Sequence, residues 1–463
     1  MKNSKTDLSV YKKTLLLAVP IMIQNGITNA VALVDNLMVS SQGDEAITAV
    51  SMAGQLLFVF NLAIFGAMSG PGIFGAQYYG SNDTEGVRKV FRIKIWAAFL
   101  CSLIGGLLFF FCDDFLIGLY MKGEAGSIDK ALTLDFAKNY LRIMILQIPF
   151  FAITQVYSTS LRETNESLIP MISGVVSVVV DVFLNYCLIY GNLGFPELGV
   201  NGAAIATVLA RVAEFSVIFI WSHLRRKKHT FLIGIYKTLL VPWKFFLPIF
   251  KKSVPIMINE FLWASAMAAM TQNYSTRGMD VVEGLTISNN LCNLMNVVFI
   301  AMGHAVGIII GQMLGAKEFE KAKKNSISLM WFSGGICVLL SVALCIISGW
   351  FPTLYNTTDV IRQKASTFII ITAIFFPLQG FLNSLYFTLR SGGKTVVTFL
   401  FDSVFSWTVG VSTAHILAKY TNLGIFGIYT IVQAVDFIKV IIGYILIKKG
   451  VWITNIVSKE END

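Results

Sequence analysis

"AVALVDNLMVSSQG", residues 30–43, sets a carboxylate, Asp35, inside an apolar run that begins near Thr14. The run is longer than the roughly 20 residues a helix needs to cross about 30 Å of hydrocarbon. The rest of the chain agrees with it: of 463 residues, 55% are hydrophobic and only 14% charged, against about 25% charged in an ordinary soluble domain. Mean hydropathy is +0.68. Such a chain has more apolar surface than a water-soluble fold can cover, so its solvent is lipid. In lipid only helices and closed barrels satisfy their own backbones. The runs here are long and continuous, which selects helices and an all-α polytopic membrane protein.

Twelve runs are readable, at about 14–40, 46–79, 90–112, 134–160, 167–191, 201–224, 245–274, 281–314, 326–350, 365–389, 395–418 and 423–447. Several exceed 25 residues, which predicts tilt, kinks or projecting ends. The first run is too long for a signal peptide and lacks a small-residue cleavage site, so it is expected to remain as a span. With a cytoplasmic N-terminus, and with charges near the end of a run counted with the adjoining segment (Arg92 and Lys94 among them), the cytoplasmic segments hold 26 of the 36 Lys and Arg residues, the outer segments 8, and the last two, Arg211 and Lys439, lie within helices. Loops rich in Lys and Arg stay inside, so the net charge of +9 is mostly a topology signal with both termini cytoplasmic. "RRKK" at 225–228 ends a membrane helix, which argues against nucleic acid as a partner. The six cysteines lie within or at the ends of apolar runs and form no CxxC pair; the four histidines are scattered. Neither pattern predicts a metal site. No catalytic centre and no cofactor is read, so the chain is expected not to be an enzyme.

The chain repeats itself. Residues 19–89 laid over 254–324, a shift of 235 without a gap, give 15 identities in 71 positions. "VPIMI" falls on "VPIMI", Gly43 on Gly278, Gln77 on Gln312 and Gly80 on Gly315. Each half has six helices, so both enter the membrane in the same sense. This predicts two six-helix lobes, 1–230 and 231–463, related by pseudo-two-fold symmetry about the membrane normal, with a substrate path between them. A basic cytoplasmic loop, about 225–252, joins them.

"LVDNLMVSSQGDEAITAVSMA" resembles the first- and second-helix signature of the multidrug and toxic compound extrusion (MATE) family. "DVFLNYCLIYGNLGFPELGVNGAAIATVLAR", residues 181–211, is similar to that family's fifth and sixth helices. The resemblance covers the whole chain. It implies a secondary active efflux antiporter, driven by Na⁺ or H⁺, that exports bulky and often cationic organic compounds. The alternatives are a flippase for lipid-linked oligosaccharides of the same superfamily and a non-transporting scaffold or receptor. An anionic pyrophosphate substrate calls for several cavity arginines, whereas only Arg211 reads as intramembrane, and Glu214 is placed to neutralise it. The bilayer and small organic substrates are the expected partners, the chain is expected to be a monomer, and the short tails point to a bacterial inner membrane.

A carboxylate in the bilayer costs about 2.5–3.5 kcal/mol on insertion scales, so each acid there needs a reason. Arg211 and Glu214 are three apart in the sixth helix, Asp436 and Lys439 three apart in the twelfth, and both read as structural ion pairs. Asp35 and Asp181 have no base at helical spacing. A bound cation or proton is what such acids are suited to exchange. The resemblance implies that these two line an ion site, with Thr207 as its sixth-helix hydroxyl. Ser177 stands one turn before Asp181, where the family often has an asparagine. Glu260 resembles a seventh-helix glutamate of the NorM-like branch, which binds cations in the second lobe. The tenth helix lacks that branch's aspartate and offers Gln379 and Asn383 instead. Asp402 lies early in the eleventh helix. Pro20, about four turns before Asp35 in the same helix, is the expected point of bending.

Overall fold

The structure is a computed structural model that describes residues 8–120 and 129–458. The extreme termini, expected to be cytoplasmic, lie outside the described residues. Among those described the regular elements are all helical. They are α1 (Leu8–Ser40), α2 (Asp44–Gly80), α3 (Thr84–Phe111), α4 (Asp113–Tyr120), α5 (Lys130–Met144), α6 (Gln147–Glu163), α7 (Leu168–Tyr190) and α8 (Gly199–Leu224). There follow α9 (Trp243–Ser275), α10 (Met279–Gly315), α11 (Phe319–Ile347), α12 (Asp359–Ser391), α13 (Thr395–Tyr420) and α14 (Ile425–Lys449).

Ten of these helices are long and apolar enough to cross a membrane, and eleven spans result if α5 and α6 count as one. α1, 33 residues long, carries the first predicted run. All twelve runs therefore fall on helices, but the fourth is not a single rod: α5 and α6 meet at 46°. Pro149, third residue of α6, explains the break, because proline lacks an N–H and disfavours helical geometry in the residue before it. The repeat is visible in the backbone. Gly43 and Gly278, matched by the shift of 235, hold φ of 108° and 127°, which favours glycine.

The chain forms two compact units that interleave in sequence. The N-terminal unit comprises Ile23–Gly72 and Thr84–Phe246; the C-terminal unit comprises the described parts of Met1–Met22, Ile73–Asp83 and Leu247–Asp463. α1 and α2 thus each pass from one unit to the other. Pro20 and Pro71 lie within two residues of the two passages.

In the N-terminal unit the basic linker is strapped to α3. Arg88, Arg92 and Trp96, four residues apart, donate to the carbonyls of Phe231, Ile235 and Leu239, also four apart, at 3.3, 3.2 and 3.0 Å. Burial, with Lys228 and Arg225 nearby and Glu166 opposing, holds the pKa of the linker's His229 below its ordinary value. Lys94, counted above with a cytoplasmic segment, is instead fully buried in α3, its Nζ 2.6 Å from Glu163 Oε1 on α6.

In the C-terminal unit the opening turns of α1 pack Val10, Leu17 and Ala18 into a core with Met302, Val306, Leu385, Leu389 and Trp452. The ends of α2 and α10 meet reciprocally. A Cβ on Gly80 would lie 2.0 Å from the Gln312 carbonyl oxygen, and one on Gly315 would lie 1.9 Å from the Gln77 carbonyl oxygen. The contact therefore joins residues that the repeat superposes. Ala76 and Gly80 face Gly311 and Gly315, a small-residue pattern that lets backbones touch. The end of α12 and the segment after α14 lace this contact: Gln77 donates to the carbonyls of Ser391 (2.9 Å) and Thr454 (3.2 Å), and Asn455 donates to those of Leu314 and Gly315.

Candidate functional site

α7 turns three polar residues to one buried face. Ser177, Asp181 and Asn185 are four apart and 5%, 7% and 1% exposed, while Val179, Phe183 and Tyr186 point outward. The periodicity of 3.6 makes this division: a polar side chain every fourth residue recurs on one side and leaves the rest apolar. The buried face meets α1 and α8.

Asn185 Nδ2 donates to Asp35 Oδ1 at 2.8 Å. Asp181 lies beside Asp35 and the Thr207 hydroxyl. Thr207 donates to the Ala203 carbonyl at 3.1 Å in this arrangement. Asp181 Oδ1 and Asn185 Oδ1 are both buried and without a hydrogen-bond partner among the described residues. Two carboxyl groups thus lie together beside the Thr207 hydroxyl and the Asn185 amide, with one carboxylate oxygen left without a proton to accept. A proton shared by the acids, or a small hard cation, supplies what this donor set lacks. Ser177 turns away from this role, donating to the Ala210 carbonyl at 3.0 Å and tying α7 to α8.

Asn185 was not singled out above, although its spacing of four from Asp181 on an apolar helix was the available signal. Arg211 is a second addition. It pairs with Glu214 at 2.7 Å and lies over the Phe151 ring at 5.4 Å, yet it is also close enough to Asp181 and Asp35 to interact with their charges. Asp35 and Asp181 have no base at helical spacing, and Arg211 reaches them from a neighbouring helix. Tyr140 of α5 is buried near both acids as well.

The C-terminal unit holds a separate polar cluster. Glu260 faces Arg390 of α12 at 3.7 Å. Gln379 and Asn383 do not gather around Glu260 as a set: Gln379 donates to Asp436 at 2.8 Å, and the Asn383 side chain packs beside Gly303. Lys439 lies 3.6 Å from Asp436 and 3.5 Å from Asp402, and also donates to Ser406 at 3.1 Å. Asn259 donates to Asp402 and to the Tyr386 hydroxyl, both at 3.1 Å. Asp402 and Ser406 belong to a stretch of α13, Leu400–Val411, wound mostly as π-helix. Such widened turns displace side chains from their α-helical directions and are frequent at functional sites. Among the described residues no group of three or more His, Cys, Asp or Glu side chains gathers as a metal cluster.

A polytopic helical membrane protein with charged and amide side chains buried inside each of two compact units is the class defined so far. The MatE family profile matches residues 20–187 and 255–415, and the chain belongs to that family. Among its relatives is the probable multidrug resistance protein YoeA of Bacillus subtilis, 27% identical over 433 residues, 92% of this chain and 90% of that protein. Another is the probable multidrug resistance protein NorM of Neisseria meningitidis serogroup B, 23% identical over 89% of this chain and 88% of that protein. The fold matches an outward-facing MATE transporter with a TM-score of 0.83 at 20% identity, covering 95% of each chain. A mutant of the Vibrio cholerae MATE transporter VcmN matches with a TM-score of 0.83 at 17% identity, over 96% of this chain and 97% of that one.

Proposed function

We propose that this chain is a secondary active multidrug efflux antiporter. It exports organic compounds, cationic and amphipathic in character, in exchange for Na⁺ or H⁺. It works as a monomer in a bacterial inner membrane with both termini in the cytoplasm, and it is not an enzyme. The observation that carries the coupling site is the meeting of Asp35 and Asp181, from separate membrane helices, around the unpartnered Asp181 Oδ1. The names of the YoeA and NorM relatives support the substrate class.

A carrier must not change access with an unpaired charge buried in its membrane-spanning core. A proton or Na⁺ held between Asp35, Asp181, Asn185 and Thr207 removes that charge. With the ion released, the ionised pair attracts a cationic substrate. Occupancy thus biases α1 between two shapes, and Pro20, which removes a rung from its hydrogen-bond ladder, is where it bends. Glu260 is the weaker coupling candidate, because Arg390 already faces it. That same pairing, with Arg211 on Glu214, leaves these arginines ill placed to grip a pyrophosphate, which favours efflux over a flippase for lipid-linked oligosaccharides.

The test is transport in proteoliposomes under imposed Na⁺ or H⁺ gradients, with organic cations and lipid-linked sugars as substrates. Asp35→Asn should insert and melt like the parent yet lose gradient-driven export by roughly 5–150-fold, the range of an ordinary coupling free energy. Asp181→Asn should act in the same direction, and the double variant should fall little further if both serve one site. Export by Asp35→Asn at the parental rate with unchanged ion dependence would end this assignment.

A further inference from the structure

A groove of about 1130 Å³ opens between α1 and α11 in the C-terminal unit, and the coupling site does not use it. Its walls are Leu15, Leu16, Val19 and Pro20 from α1, and Ile327, Trp331 and Phe332 from α11; Lys12 and Lys324 add charge. Both lysines stand in the opening turns of their helices and are exposed. α1 and α11 are the first and ninth spans, so eight crossings separate their starts and both begin on the same side of the membrane. The groove is therefore cationic toward that end and apolar beyond it. Tyr11 holds the two helices together there, sharing a hydrogen bond with Ser328 and setting its ring 4.9 Å from that of Phe332 at a tilt of 57°. Leu16 and Trp331 are 63% and 65% exposed, so the apolar floor is open to whatever lies alongside the protein.

We infer that this groove binds one anionic phospholipid, its headgroup phosphate on Lys12 and Lys324 and an acyl chain laid along Leu16 and Val19 toward Pro20. Charge complementarity selects the occupant: two ammonium groups at the head of an apolar channel match an anionic headgroup followed by a hydrocarbon tail. Basic pockets between membrane helices on the cytoplasmic side are suited to anionic headgroups, and tryptophan prefers the interfacial level. The volume exceeds the roughly 300–1,000 Å³ of pockets for drug-sized ligands. The chain already lies in a bilayer, so the ligand is present at high local concentration. The bound lipid would pack against the proline at which α1 is interrupted.

Native mass spectrometry of the purified full chain, delipidated and titrated with phosphatidylglycerol or phosphatidylcholine, tests this directly. The parent should retain one phosphatidylglycerol in preference to phosphatidylcholine. Each lysine near a membrane surface is worth about a five-fold change in affinity. Lys12→Gln with Lys324→Gln should therefore weaken retention by roughly 25-fold, and Lys12→Arg with Lys324→Arg should restore it. Leu16→Trp, which fills the channel and leaves both charges, should also lower retention and needs no charge change to fold. Equal retention of the two lipids by the parent, or full phosphatidylglycerol retention by the Gln variant, overturns the inference. So does displacement of the lipid by a short-chain organic anion with no acyl tail at equal concentration, which would mark a general anion site. None of these readouts depends on transport.

Discussion

Lys439 serves two acids. It stands 3.6 Å from Asp436 on its own helix and 3.5 Å from Asp402 on α13, with its side chain 7% exposed. Removing one partner of a buried pair leaves an uncompensated charge in low dielectric, at a cost of about 3–5 kcal/mol. Lys439→Ala should therefore depress expression and thermal stability in detergent far more than transport per folded molecule. Normal stability with lost transport would instead place Lys439 in the transport machinery. Arg211→Ala should differ in kind, because Arg211 lies near Asp35 and Asp181 as well as Glu214: it should shift the ion dependence of transport in addition to stability. The spacing of three was enough to read both pairs from sequence. Their second partners were hidden because one helix's periodicity says nothing about which neighbour it will face. Asn185 was hidden for another reason, since an amide in a long apolar run draws less notice than a carboxylate, though its desolvation also demands partners.

Among the elements, the contact between the ends of α2 and α10 is one of the tightest helix-to-helix approaches the glycines define. Gly80 rests on the Gln312 carbonyl and Gly315 on the Gln77 carbonyl, at separations no real Cβ tolerates. Gly315→Ala should destabilise the protein by several kcal/mol or abolish folding, as should Gly80→Ala, because the obstructing atoms are backbone and cannot swing aside. Gly427→Ala, at a glycine with open space around it, is the control and should be close to neutral. Size-exclusion profiles and melting temperatures would check all three; a parental melting temperature for Gly315→Ala would mean that the two backbones are farther apart than described. Helix positions were legible because hydrocarbon leaves the backbone no other solution, and the matched pairs Gly43/Gly278 and Gly80/Gly315 were legible because the repeat preserved them. The bend between α5 and α6 and the π-helical stretch of α13 were not. Apolar composition fixes that a segment crosses the membrane, but not how its hydrogen bonds are wound along the way.

For the molecule as a whole, the open question is orientation, and the charges bear on it. Of the 26 Lys and Arg residues counted with cytoplasmic segments, Arg92, Lys94 and Arg390 prove to be buried in ion pairs, which leaves 23 against 8 outside. Buried, paired charges do not hold a loop on one side during insertion, so they add nothing to the bias; the remainder is still nearly three to one and predicts a cytoplasmic linker. The linker also supplies convenient probes. Leu240, 80% exposed, lies in it, and Phe195, 44% exposed, lies in the turn between α7 and α8. With the six native cysteines replaced by alanine, Leu240→Cys should react with a membrane-impermeant maleimide only in inside-out vesicles, and Phe195→Cys only in whole cells with a permeable outer layer. A single span, α8, separates the two positions, so they must label from opposite faces whatever the absolute orientation. Labelling of both from one face would break the assignment of α8 as a span and the twelve-crossing arrangement. Opposite labelling with the sides exchanged would keep the fold and invert the protein, which would put Lys12 and Lys324 at the outer leaflet.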